Sequence, residues 1–255
     1  MMGAYYTLLG LLVFMFVYSN GAQHKPASNY FKICNEKDGK LLNECIKSTM
    51  LDLKPVLAKG IPELGMPSIE PMVIDRMIMS NGQGNFKLIQ TLYDLKIYGV
   101  SDYDVKEISA NLQNLTFHTV MFQKKLDFDG KYEMDGQILV IPVKGKGEVT
   151  YNFTDVTTTF DTVLERYKRD GVEYVRVKNS TLTIEPQSAH SHFTNLFNGD
   201  KMLGDSTNKF LNDNWKEAFD TFRYLPETAF AKVFTVFANN IYDKFPLKEL
   251  YPSVY

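Results

Sequence analysis

Two cysteines, one tryptophan and four histidines are all that this chain of 255 residues holds of those types. The scarcity excludes much chemistry. A zinc site wants three or four close-set ligands, and there is no CxxC pair for dithiol work. No GxSxG elbow, HExxH motif or Walker loop occurs, and "NGQGN" at Asn81 to Asn85 supplies only a GxG in a turn-like setting. Charge of one sign is lacking too. The 28 basic residues nearly balance 30 acidic ones, for a net charge of −2, which argues against a nucleic-acid partner. No apolar run reaches the roughly 20 residues of a membrane-spanning helix, so no stable membrane insertion is expected.

What is present begins with an apolar run from Leu8 to Val17, the length of a secretory signal core. Small residues follow, and cleavage after Gly21 is expected to leave a single domain over residues 22–255, secreted to the extracellular space. The absence of Lys and Arg before the run departs from the usual signal, and a buried N-terminal helix is the alternative reading. In an oxidising compartment, Cys34 and Cys45, eleven positions apart, are most simply a disulfide. By chain-entropy arithmetic such a bridge contributes about 3 kcal/mol. Three sequons agree with secretion: Asn114 in "NLT", Asn152 in "NFT" and Asn179 in "NST". Asn152 alternates away from Val149, Tyr151 and Phe153, which predicts a wet face. Asn179 shares parity with Val175 and Val177, which predicts either a turn or poor exposure.

Periodicity divides the rest into three regions. Ile46, Met50, Leu53 and Leu57 mark one face of a short helix, with Gly60 as its C-cap and Pro55 as a kink or end. "IPELGMPSIEP" is too rich in proline for a helix and reads as an extended connector. From about residue 85 to 186 alternation takes over. "LIQTLYDLKIYG" sets Ile89, Tyr93, Leu95 and Ile97 on one side, and Val149, Tyr151 and Phe153 line one face of "VTYNF". From Val156 through Phe160 to Leu164 the parity shifts by one, which predicts a bulge or strand break. Turn signals at "FDGKYEMDG", "VKGKG" and "KRDG" divide the region into successive antiparallel strands.

From Phe210 to Phe245 apolar residues recur at three and four, and most of the large ones are aromatic. A single helix over this stretch would be roughly 50 Å long, with a bend at Pro226. A coiled-coil seam favours Leu, Ile and Val at strict heptads, so this broad stripe wants a wide partner. The strands supply one. The expected architecture is a curved sheet wrapped around the helix, the alternative being a helix layer packed on one side of a sheet.

Candidate catalytic groups are few. His190 and His192 in "SAHSH" follow Pro186 in an expected loop, and His118 lies in a strand pattern. No metal site and no cofactor are expected from these residues, and the scattered carboxylates fit turns better than acid-base work.

The motifs taken in order resemble a known family. Paired cysteines running into "CIKSTMLDLKPVLAKGIPELGMPSIEPM", then "HFTNLFNGDKMLGDSTNKFLNDNW", a Phe-rich helix and "FPLKELYP" are similar to the takeout and juvenile-hormone-binding proteins of insects. A single disulfide resembles the takeout branch. The resemblance implies an α+β super-roll of the BPI-like (TULIP) type, a long helix wrapped by a strongly curved antiparallel sheet with an internal hydrophobic tunnel. It implies a secreted carrier of a juvenile-hormone-like terpenoid, fatty acid or other elongated lipid, monomeric and not an enzyme, linked to circadian, feeding or chemosensory physiology. Leu196 to Asp200 match the family's "LFNGD" turn, and Asn212, Asn214 and Trp215 match "LNxNW". Trp215, Phe219, Phe222, Phe230, Val233, Phe234 and Phe237 are the expected ligand contacts, and any of them can equally be core. A sheet tyrosine is the expected polar anchor, with fifteen to choose from. Rival readings are a divergent lipid esterase using His118 or His190 as base, and a membrane-surface lipid binder of the same fold.

Overall fold

The computed structural model describes residues 25–35, 39–81, 88–138 and 141–254. The expected signal segment, His24 and most of "NGQGN" lie outside them. Helix α1 (Gly39–Lys59) runs through Pro55 and stops at Gly60, whose φ of 82° suits glycine. It starts earlier than its apolar face suggested. Cys45 therefore lies inside the helix, and the bridge to Cys34 (Cα–Cα 5.8 Å) ties the preceding segment onto it rather than closing ahead of it. The proline-rich connector holds one short 3-10 turn, Pro62–Leu64.

Seven strands follow: β1 (Met72–Asn81), β2 (Leu88–Tyr98), β3 (Tyr103–Asn111), β4 (Thr116–Ile138), β5 (Ile141–Arg169), β6 (Val172–Glu185) and β7 (Ser188–Phe193). All pair antiparallel in one sheet. Its spine is the β4–β5 hairpin. Along one side β3 and β2 share β4 between them, and along the other β6 and β7 share β5. Of the three expected turns only "KRDG" is one, between β5 and β6; "FDGKYEMDG" and "VKGKG" lie inside β4 and β5. The glycines of "VKGKG" serve close approach instead. A Cβ at Gly145 would stand 2.6 Å from the Tyr132 hydroxyl, and one at Gly147 2.6 Å from the Thr194 carbonyl.

The parity shift is real and two-sided. Gln123 pairs with Val156 and Lys125 with Thr154. Yet the buried residues run Gln123 then Leu126 on β4, while on β5 the inward side changes from Phe153 to Val156. Both strands reverse at one point, beside Asp155 with its φ of 48°. A second irregularity at Asp94 (φ 50°) reverses β2. As a result Leu88, Gln90, Leu92, Leu95 and Ile97 are buried and Ile89 is exposed, which corrects the simple alternation read for that strand.

The long helix is three, set end to end: α2 (Lys201–Asp213), α3 (Trp215–Phe222) and α4 (Tyr224–Tyr242), before a short α5 (Leu247–Leu250). Asn214 separates the first two and donates from Nδ2 to the Phe210 carbonyl. The second interruption falls at Arg223, three residues ahead of Pro226, whose missing N–H leaves the Phe222 carbonyl without its helical donor. "LFNGD" is the expected turn, with Phe197, Asn198 and Gly199 all at positive φ and Asp200 capping α2 by accepting from the Leu203 N–H at 3.0 Å.

The sheet curls until its outer strands, β1 and β6, both meet α4, which fills the gap between them. Two asparagines dock α2 against β7. Asn208 grips the N–H and C=O of Phe193, each at 2.9 Å, and Asn212 those of Ser191, each at 2.8 Å. At the other end α1 covers β3, with Asn43 accepting from the Ala110 N–H and Lys54 donating to the Tyr103 carbonyl. There the disulfide packs with Leu42, Leu112, Tyr251 and Val254.

Candidate functional site

Inward residues of the sheet and of α2 to α4 leave between them a cavity of about 180 Å³. That is roughly ten times or more what a single water requires. Met77 and Met79 come from β1, Leu88, Gln90, Leu92 and Leu95 from β2, Leu126 and Phe128 from β4, Tyr151 and Phe153 from β5, and Phe193 from β7. The helical wall is Leu211, Trp215, Ala218, Phe219, Phe222, Leu225, Pro226 and Phe230. Helical spacing brings the first five of these onto one face.

Aromatic rings shape the space. Phe128 meets Tyr151, Phe153 and Phe230 at ring distances of 6.3, 5.3 and 6.1 Å, and Phe153 reaches Phe219 at 5.8 Å. The first two contacts are edge to face, the geometry the ring quadrupole favours. Apart from the tryptophan, polar residues are few: Gln90, Tyr151, His190, Ser191 and Arg223. Gln90 donates from Nε2 to the Tyr151 hydroxyl at 2.7 Å. The phenolic O–H has no acceptor among the described residues, so Tyr151 keeps a donor to offer. Burial pushes its pKa far above the usual phenol value, against the smaller opposing effect of the Gln90 hydrogen bond, so that donor persists at any physiological pH.

Arg223 is committed. It donates to the Ile184 carbonyl at 2.9 Å and to Glu227 at 3.0 Å, with Glu185 and Asp220 at 3.6 and 3.9 Å. Glu227 in turn accepts from the Ile184 N–H at 2.9 Å. The cluster fastens the end of β6 to the α3–α4 junction at the rim of the cavity.

Of the expected contacts, Trp215, Phe219, Phe222 and Phe230 line the cavity. Val233 faces a different space, a groove between β1 and α4. Phe234 packs on Phe160 at 6.1 Å and on Phe237 at 6.3 Å, so the later part of the stripe is filled by its own rings. The sheet side of the wall was not singled out from the sequence, although Gln90, a polar residue inside an apolar strand, was its available signal. His190 and His192 lie on β7 rather than in a loop; both are exposed, between half-buried Ala189, Ser191 and buried Phe193. His118 bonds Asp161 at 2.6 Å, both side chains substantially exposed, and neither lines the cavity.

The sequons fall in three settings. Asn114 is exposed in the β3–β4 turn. Asn152 is half-buried, its Nδ2 donating to Asp127 at 2.8 Å. Asn179 is exposed because the register slips between Val163 and Leu164, which adds Lys178 to β6 and turns Asn179 outward despite its sequence parity.

A curled antiparallel sheet closed by a helix around an apolar cavity defines a super-roll of the takeout type. The chain belongs to the haemolymph juvenile hormone binding protein (JHBP) family, whose model matches residues 11–252. Its structure is similar to that of Takeout 1 from Epiphyas postvittana, with a TM-score of 0.73 at 25% identity, covering 86% of this chain and 98% of the other. Its sequence is 29% identical to the circadian clock-controlled protein daywake of Drosophila melanogaster over 201 residues, 75% of this chain and 77% of the relative. The Drosophila yakuba daywake is 28% identical over 206 residues, 76% and 78% of the two chains.

Proposed function

We propose that this protein is a secreted carrier of a small, elongated hydrophobic ligand, released from a signal peptide at residues 1–21 and folded as one domain over 22–255. The cavity carries the reading. An apolar space of this size left empty forfeits the dispersion contacts of every side chain around it, and an apolar ligand restores them. Trp215, Phe219, Phe222 and Phe230 supply the helical contacts. Phe234 and Phe237 act as packing that limits the length of the space, and Val233 belongs to the groove. Tyr151 and Gln90 offer a donor and an acceptor to an oxygen function on a terpenoid, fatty acid or related chain.

Family membership and the takeout-like fold support binding rather than catalysis, and the one close His–carboxylate pair among the described residues, His118 with Asp161, stands outside the cavity. The clock-controlled fruit-fly relatives support a circadian, feeding or chemosensory setting. Exposed Asn114 and Asn179 suit N-glycans better than Asn152, whose amide is already held by Asp127.

Extraction of protein purified from its natural source, followed by mass spectrometry, should yield a lipid-sized molecule. Titration with apolar probes should change the emission of Trp215, the single tryptophan. Protein that releases no lipid and shows no response at Trp215 overturns the reading.

A further inference from the structure

The two outer strands of the roll meet α4 differently. Toward β6 the helix is tied by three side chains on one face, at steps of eight and four residues. Glu227 accepts from the Ile184 N–H, Thr235 shares a hydrogen with Ser180 at 2.7 Å, and Asn239 accepts from the Val177 N–H at 2.9 Å. Toward β1 no hydrogen bond joins helix to strand among the described residues, and a groove of about 410 Å³ runs between them. Met77, Met79 and Leu225 line both the groove and the apolar cavity. On the groove side stand Arg76 and Lys232, both exposed and neither paired with a carboxylate among the described residues; no Asp or Glu lines the groove. Arg76 lies over the Tyr93 ring at 5.9 Å.

We propose that the β1–α4 groove is the head-group site for a long-chain fatty acid whose chain lies in the cavity, with Arg76 and Lys232 facing its carboxylate. The inference rests on the carrier reading and deepens it by naming the ligand class. A carboxylate drawn into the cavity would lose its hydration beside an Arg223 that already serves three carboxylates. In the groove it stays wet and meets two cations that no carboxylate among the described residues engages, while burial of the chain's methylenes draws the rest of the molecule into the cavity. The chain passes between Met77, Met79 and Leu225. Methionine suits such a passage, because its unbranched side chain re-rotates at low cost, and no helix-to-strand hydrogen bond has to break on that side.

Energy transfer from Trp215 to cis-parinaric acid, compared with its methyl ester, tests the site. At low salt the acid is expected to bind about tenfold or more tightly than the ester, and 1 M salt should shrink that advantage through screening. Arg76→Ala combined with Lys232→Ala should bring the acid down to the ester's affinity, and the exchange pair Arg76→Lys with Lys232→Arg should restore most of it. Circular dichroism and thermal melting confirm that each variant folds. Equal binding of acid and ester by the native chain, or full affinity for the acid in the double alanine variant, overturns the head-group site while leaving the carrier reading intact. Failure of both probes to bind overturns both. A ligand-free dimer dispersed by Ile78→Lys would put a second copy's β1 in the groove, and that too overturns the proposal.

Discussion

Tyr151 shows what separates a candidate anchor from its fourteen namesakes: a hydroxyl that receives one hydrogen bond and, among the described residues, still has one to give, inside an apolar space. Removing it with Tyr151→Phe should lower affinity for a chain bearing an ester or epoxide oxygen by roughly five- to tenfold, the value of one net hydrogen bond. Affinity for a plain hydrocarbon probe should change far less; equal losses for both would mean the ring, not the hydroxyl, matters. Sequence could not rank the tyrosines: alternation set Tyr151 beside Val149 and Phe153, and the parity shift near Val156 was visible, but the reversal at Asp94 and the hydrogen bonding of each hydroxyl are fixed only by the three-dimensional register. The helix was more legible. Its 3.6-residue period placed Trp215, Phe219, Phe222 and Phe230 together without knowledge of any partner.

At the scale of elements, side chains do the work of missing strand neighbours. Asn208 and Asn212 of α2 hold the backbone of β7, and Glu227, Thr235 and Asn239 of α4 line up along β6. The edges are thereby satisfied without another strand. Asn208→Ala would leave the buried N–H and C=O of Phe193 without partners and should lower stability by about 2 kcal/mol, measured by urea unfolding. An unchanged midpoint would show that water replaces the amide. Resemblance to "LNxNW" named Asn212 from the sequence, but its task was invisible there, since its partner lies 21 residues upstream on a strand mistaken for a loop. Glycine misled in a similar way: Gly145 and Gly147 look like turn formers, and the segment crossing over them is distant in sequence.

Across the molecule, the disulfide and the cavity belong to opposite neighbourhoods. Cys34 and Cys45 pack with Leu42, Leu112, Tyr251 and Val254, none of which lines the cavity. Cys34→Ser should therefore lower stability by about 3 kcal/mol and leave ligand retention, followed by dissociation rate, unchanged. Faster release would show that the clasp also guards the ligand. Alkaline pH gives a second global test. Burial raises Tyr103 and Tyr132 to about 12 and raises Tyr242 and Tyr251 as well. Because the folded chain keeps protons that the unfolded chain releases near pH 10, stability is whole below that point and falls as pH climbs toward 12. Unfolding midpoints measured from pH 8 to 11.5 should stay level and then drop, together with a delayed rise in tyrosinate absorbance.

The paired reversal, between Gln123 and Leu126 on β4 and beside Asp155 on β5, bears on how such a chain can change over generations. Loss of one codon in most surface loops shortens a loop. Loss of one codon here would give one strand a plain alternation against a partner that still reverses, so Leu126, Phe128 and Tyr132 would no longer share a face with the β5 residues they pair with. Only a matched loss in both strands would keep the two faces in step, and it would straighten the hairpin. Drift in length is therefore closed off at this position far more firmly than drift in residue identity, and the bend should persist in any descendant that still encloses a cavity.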